Sequence, residues 1–246
     1  MDGDYRRAHA RLEASLQALP ATLPERPKAI LMVSGHWEEA AFTAMSSPAP
    51  GMLYDYAGFP AHTYEIAYPA PGDPVLAERV VGLIEAAGLP AARDAHRGFD
   101  HGAFCTLAPM FPDADMPVVQ LSLKRGLSPA DHLALGRALN PLRNEGVLIL
   151  GSGFSFHNLR LLGPSGHEPS AAFDAWLQST LTTPEGRADR LLAWAQAPAA
   201  RVAHPREEHL LPLMVAAGAA DGEAASCIYN EADFMGGVTA SSFRFG

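Results

Sequence analysis

Histidines stand in four separate segments, each beside turn-forming or strongly patterned residues. These are Ser34-Gly35-His36-Trp37, Phe99-Asp100-His101-Gly102, Gly151-Ser152-Gly153 leading to His157-Asn158, and His204-Pro205-Arg206-Glu207-Glu208-His209. Imidazole is the commonest side-chain metal ligand and the one that titrates near neutrality. Several of them at strand ends predict one polar pocket that holds a metal and moves protons.

His36 follows an apolar run and precedes an aromatic residue and two acids. Glu38 and Glu39 are candidates for orienting a ligating imidazole through its other ring nitrogen, although Glu39 reads more simply as a solvated charge. His157 follows a Gly-Ser-Gly turn, whose glycines permit positive φ and close backbone approach to a ligand. That turn lacks the Lys of a P-loop and the third Gly of a dinucleotide fingerprint. Ser152 also lacks the spacing of a nucleophile elbow. His204 and His209 are five residues apart, whereas two ligands on one helical face need i, i+4. One is expected to enter the site and the other to support the turn, with His209 favoured because it begins a helix. Asp100-His101-Gly102 is a turn signal carrying either a substrate-binding imidazole or a cap with a solvated ring. His9 and His132 on helices, and His62, His96 and His167 in loops, read as structural.

The elements that must position these residues alternate. Tyr5 to Leu19 has apolar residues at Ala8, Leu12, Leu16 and Leu19, a helical spacing ended by prolines. Ala29 to Val33 is a buried strand closed by Ser-Gly, with His36 beyond its end. Met45 to Pro74 is irregular and rich in Pro, Gly and aromatics, including Tyr54, Tyr56 and Phe59. So long an irregular segment points to function. Asp73-Pro74 opens a helix to Ala87. Pro109 to Phe111 lies in a short helical or loop stretch. Pro117 to Leu123 is a second strand, Ser128-Pro129 opens a helix to about Asn144, and Val147 to Leu150 is a third strand. Phe173 to Leu181, Arg187 to Gln196 and Glu207 to Ala217 read as helices, and the tail Ala224 to Phe245 as ending in an edge strand. Such alternation predicts a single α/β domain over residues 1–246, a sandwich with a mostly parallel central sheet flanked by helices.

Bulk properties narrow the function. The chain has 246 residues and a net charge of −9, which disfavours nucleic acid. Cys105 and Cys227 form no close pair, so a disulfide framework or zinc ribbon is not expected, and both read as buried small hydrophobes. No apolar run approaches the ~20 residues of a membrane span, and the polar N-terminus does not read as a signal peptide. The expectation is a cytoplasmic protein without nucleic-acid or membrane partners.

Taken together, these segments resemble the class III extradiol ring-cleaving dioxygenase superfamily, which contains the catalytic subunit of protocatechuate 4,5-dioxygenase. The most similar branch is the DOPA 4,5-extradiol dioxygenase-like family. The matching stretches are Val33 to Glu38, Tyr54 to Pro60, Tyr68 to Pro74, Gly98 to Ala103, Pro117 to Leu123, Gly151 to Leu159 and His204 to Leu213, in the expected order. The resemblance implies an α/β sandwich and a non-haem metal, Fe(II) for ring cleavage, with Zn(II) as the other metal the family carries. It implies metal ligation by His36 and His209, an acid/base role for His157 with approach to the metal, a pocket role for His101, and supporting places for His204 and Glu38. Its partners would be a small catecholic substrate and O2, with a homodimer as the candidate assembly. One departure is notable. The family's first strand, whose Ser-His-Gly-Ser-Pro-like turn carries a metal-ligating His, has no match at Met1-Asp2-Gly3-Asp4, and His9 is mid-helix. The expectations are a start upstream of Met1 or a site with one ligand fewer. The latter admits two rivals, a relative on the same fold without oxygenase activity and a zinc hydrolase.

Overall fold

A computed structural model describes residues 3–246, with side chains described from Arg7. Met1 and Asp2, on which the reading of a missing first strand partly falls, lie outside the described residues. In chain order the elements are α1 (Gly3–Ala18), β1 (Ala29–Glu39), β2 (Phe42–Met45), α2 (Pro74–Ala86), β3 (Ala91–Asp94), α3 (His101–Met110), β4 (Val118–Lys124), α4 (Pro129–Leu139), α5 (Pro141–Asn144), β5 (Val147–Ser152), α6 (His167–Thr182), α7 (Arg187–Leu192), α8 (Ala200–Ala203), α9 (Leu211–Ala219), β6 (Ala225–Phe234) and β7 (Val238–Phe245). A five-stranded sheet has the order β3-β2-β4-β1-β5. Its ladders are parallel except between β2 and β4, where Ala44 meets Leu121 antiparallel.

The strand at the centre of the argument, β1, is apolar on both sides, as a strand covered on both faces must be. Its alternate residues divide between two cores. Leu31 and Val33 join one with Val119, Leu121, Leu123 and residues of α2, α4, α6 and α9. Ile30 and Met32 join the other with Phe104, Leu107 and Met110 of α3. Asp73 caps α2 by accepting from Leu76 N at 2.9 Å, and Ser128 caps α4 by accepting from Asp131 N at 3.3 Å. Pro141 follows the end of α4 and opens the separate α5, so the single helix expected to Asn144 is two.

Several expectations need correcting. The first strand does not stop at Val33. It continues through His36 to Glu39, with an irregularity between Val33 and Glu38 that shifts its register against β4. Gly35 lies within a strand, as glycine can at a bulge. Two strands, β2 and β3, escaped notice because each has only four residues. His167 opens α6 instead of lying in a loop, with Nδ1 3.2 Å from Gly237 O. The tail is a whole hairpin, β6 against β7 turning at Gly236-Gly237, in a sheet of its own. Cys105 and Cys227 are exposed, contrary to their reading as buried. His132 is fully buried but satisfied: Nδ1 lies 2.7 Å from Ser128 O and Nε2 accepts from Lys124 N at 3.3 Å. Among the described residues no helix is long and apolar enough to cross a membrane.

Candidate active site

The carboxyl ends of β1 and β5 lie side by side, with Ser34 opposite Ser152 as the last pair of their ladder. Open α/β sheets bind ligands at such ends. His36 follows two residues later. Ser34 Oγ accepts from His36 N at 3.2 Å and donates to Asp100 Oδ1 at 2.9 Å. Asp100 has no solvent exposure and caps α3, its Oδ1 accepting from Ala103 N at 3.1 Å. Its Oδ2 accepts from Arg97 Nη2 at 3.1 Å and from Gln120 Nε2 on β4. The buried charge is thus fully engaged, as burial demands. The result is that the first residue of α3, His101, is fixed against β1. The His36 and His101 ring centroids are 3.9 Å apart. Gly102 is required here, because a Cβ would sit 2.6 Å from Ser34 Oγ and 2.9 Å from the His36 ring.

The other half of the site rests on the turn after β5. A Cβ on Gly151 would lie 2.5 Å from Pro212 O, and one on Gly153 only 2.1 Å from His209 O. These glycines therefore serve close packing of the segment before α9 and not a phosphate. His157 is anchored by its N–H donating to Ala203 O at 3.0 Å. Its ring stacks on His209 with centroids 3.4 Å apart, and His209 meets His36 edge-on at 4.8 Å. His209 does not begin the helix as expected. It sits in the turn two residues earlier, because α9 starts at Leu211 with Pro212 in its first turn. The rings of His101, His36, His209 and His157 form one unbroken series of contacts.

Two carboxylates flank the series. Asp55 Oδ1 accepts from His101 N at 3.0 Å and lies 2.7 Å from His101 Nδ1, while Oδ2 is 3.7 Å from His36 Nδ1. Burial opposes its charge, but the hydrogen bonds from His101 win and hold its pKa down at about 2. Glu208 Oε1 lies 3.1 Å from His157 Nδ1. Burial pushes the pKa of His36 and His157 down, opposed at His157 by Glu208. His209 falls to about 2 through burial, reinforced by His157 and His36. Neutral imidazole is the form that ligates metals. His209 Nδ1 is buried without a hydrogen-bond partner, an acceptor available to a cation. Donor atoms of His36, Asp55 and His101 lie within 4.8 Å of one another, as do those of His157, Glu208 and His209. Mixed imidazole and carboxylate donors suit a divalent transition metal, so the residues fit one.

Glu38 and His204 are placed elsewhere. The Glu38 carboxylate takes a bidentate pair from Arg206 at 2.6 Å, and Arg206 Nη1 is 3.5 Å from Glu208 Oε2. Glu38 thus reaches His157 only through Arg206 and Glu208. Glu39 is also not beside an imidazole: it accepts from Trp37 Nε1 at 3.2 Å. His204 is fully buried between Phe173 and Trp194, with Nε2 3.1 Å from Ser155 O, and touches no ring of the series. Asp55, Glu208 and Ser34 were not singled out in the sequence, and Asp100 was read there only as part of a turn or cap. The available signal for Glu208 was an acid directly beside a histidine.

A family model described as the catalytic LigB subunit of aromatic ring-opening dioxygenase matches residues 8–246. A 4,5-DOPA dioxygenase extradiol of Beta vulgaris is 41% identical over 228 residues, 90% of this chain and 84% of that protein. A protein of the same name in Escherichia coli K12 is 38% identical over 239 residues, 94% of this chain and 87% of that one. A crystal structure of an uncharacterized Escherichia coli K12 protein superposes with a TM-score of 0.81 at 34% identity, covering 95% of this chain and 92% of that one. The chain belongs to the LigB family of aromatic ring-opening dioxygenases and is an enzyme of the extradiol class.

Proposed function

We propose that the protein uses O2 to open a catechol ring beside, not between, its two hydroxyls, with Fe(II) as its metal and residues 1–246 acting as one catalytic unit. The observation that carries this reading is the contiguous run of four imidazoles at the carboxyl ends of β1 and β5. His36 and His209 would hold the metal, with His157 approaching it. Fe(II), when bound, supplies a template for substrate and O2 and a path for electrons.

His157 takes a proton from a substrate hydroxyl and later returns it to oxygen, the work of a base that is neutral at operating pH. Glu208 at its Nδ1 steadies the ring and the charge it gains. His101 hydrogen-bonds a substrate oxygen or dioxygen. Tyr56 lies edge-on to His101 at 5.6 Å. Its hydroxyl and that of Tyr54 are already given to Thr63 O and Ile66 O. Both tyrosines therefore offer an aromatic wall, and their hydroxyls are committed. Both oxygen atoms end in the product, a muconic semialdehyde-type acid.

DOPA is the first probe, because the curated relatives are named for it. Protein loaded anaerobically with Fe(II) is expected to turn DOPA into a yellow product with one O2 consumed per ring opened. His157→Ala should lose at least ~100-fold in turnover while keeping its iron. Full iron loading without oxygen uptake would defeat the proposal, and hydrolysis by the zinc form would point to a different chemistry.

A further inference from the structure

Asp55 lies in no strand or helix, yet backbone pairing delivers it to the site. Phe99 N donates to Gly51 O at 2.9 Å and Leu53 N donates to Phe99 O at 2.8 Å, so residues 51–53 run alongside the residues just before His101. Gly98 is needed for that approach, since its Cβ would lie 2.7 Å from Gly51 O. On the far side the hydroxyls of Tyr54 and Tyr56 tie the same segment to Ile66 and Thr63. Asp55 is therefore clamped between two fastened tyrosines, and a single oxygen, Oδ1, meets both His101 N and His101 Nδ1.

A backbone N–H can only donate, and an ionised carboxylate can only accept. Oδ1 has no proton to offer, so the hydrogen of this contact belongs to Nδ1. In a neutral ring that leaves Nε2 as a bare acceptor. We propose that Asp55 is a positioning residue that holds His101 in its Nδ1–H tautomer, so that His101 meets a substrate hydroxyl with an unprotonated Nε2. The tautomer follows from the contact geometry and the ionised Asp55 carboxylate, whereas its use in turnover rests on the function proposed above. His101 would then accept a hydrogen bond from a substrate hydroxyl, and could donate one from Nε2 only as the doubly protonated ring.

The test separates the two. In metal-free protein labelled with 15N-histidine, the His101 resonances, assigned by their loss in His101→Gln, are expected to show the proton on Nδ1. Asp55→Ala should move that proton mainly to Nε2. After Fe(II) loading it should lower kcat for DOPA by roughly 10–100-fold, the scale of losing a partner behind a functional imidazole, with KM changed less than about threefold. Asp55→Asn keeps an acceptor oxygen and should retain the Nδ1–H signature and more kcat than Asp55→Ala. A wild-type spectrum with the proton on Nε2, or an Asp55→Ala spectrum unchanged from wild type, overturns the proposal. The wild-type spectrum decides the tautomer even if a variant fails to fold. Wild-type protein that shows Nδ1–H but never opens DOPA would sink the catalytic reading and leave the assignment of Asp55 intact.

Discussion

At the scale of single residues, the imidazoles separate into those that are satisfied and those left with bare nitrogens. His132 uses both ring nitrogens within the fold. His204 and His209 each keep a buried Nδ1 without a partner. For His204, burial lowers the pKa to about 4. The unfolded chain takes up a proton near 6.5, while the folded chain refuses it until about 4. Below pH 6.5 the unfolded state thus binds more protons, and stability falls as pH drops. The slope approaches ~1.4 kcal/mol per pH unit for each such histidine. Replacing His204→Phe should flatten the dependence of Tm on pH between about 6.5 and 4, at some cost near neutrality because Ser155 O loses its donor. An unchanged slope in thermal melts across that window would refute the assignment.

At the scale of elements, glycine decides whether the two halves of the site can meet. Gly153→Ala would drive a methyl group into the His209 carbonyl. Overpacking against backbone costs roughly 1–3 kcal/mol, so Tm should fall by about 5 °C and turnover should be lost with it. Gly82→Ala on α2 meets nothing within 4 Å and should leave Tm equal or slightly higher. Calorimetry on the two variants checks both. Legibility in the sequence followed the same division. Strands β1, β4 and β5 were visible as apolar runs, and α2 and α4 through their Asp and Ser caps followed by Pro. By contrast α3 was hidden, with Gly102 near its start and Pro109 inside it. Its evidence lay in a cap whose second function, binding Ser34 and Gln120, exists only in three dimensions. His36 and His101 stood out because each adjoins a glycine, and His157 because it follows a Gly-Ser-Gly turn. Asp55 did not, because its pairing with His101 depends on a ladder between residue 99 and residues 51–53.

At the scale of the molecule, the site straddles strands of unequal support. His36 extends from β1, which is hydrogen-bonded on both sides, by β4 and by β5. His157 follows β5, one of the two edge strands of the sheet, whose Leu148, Ile149 and Leu150 are only partly buried. In an edge strand alternate backbone groups lack a ladder partner, and such regions open at lower free energy than the centre. Hydrogen exchange should find the amides of Leu31 to Val33 protected close to the global limit, and about half of those in β5 exchanging far sooner. Equal protection in the two strands would count against this picture. The imidazole cluster therefore has a firm flank and a loose one. Under gentle denaturation the enzyme should fall silent while its circular dichroism still looks native, because His157, the ring proposed to handle protons, would let go before the sheet's middle melts.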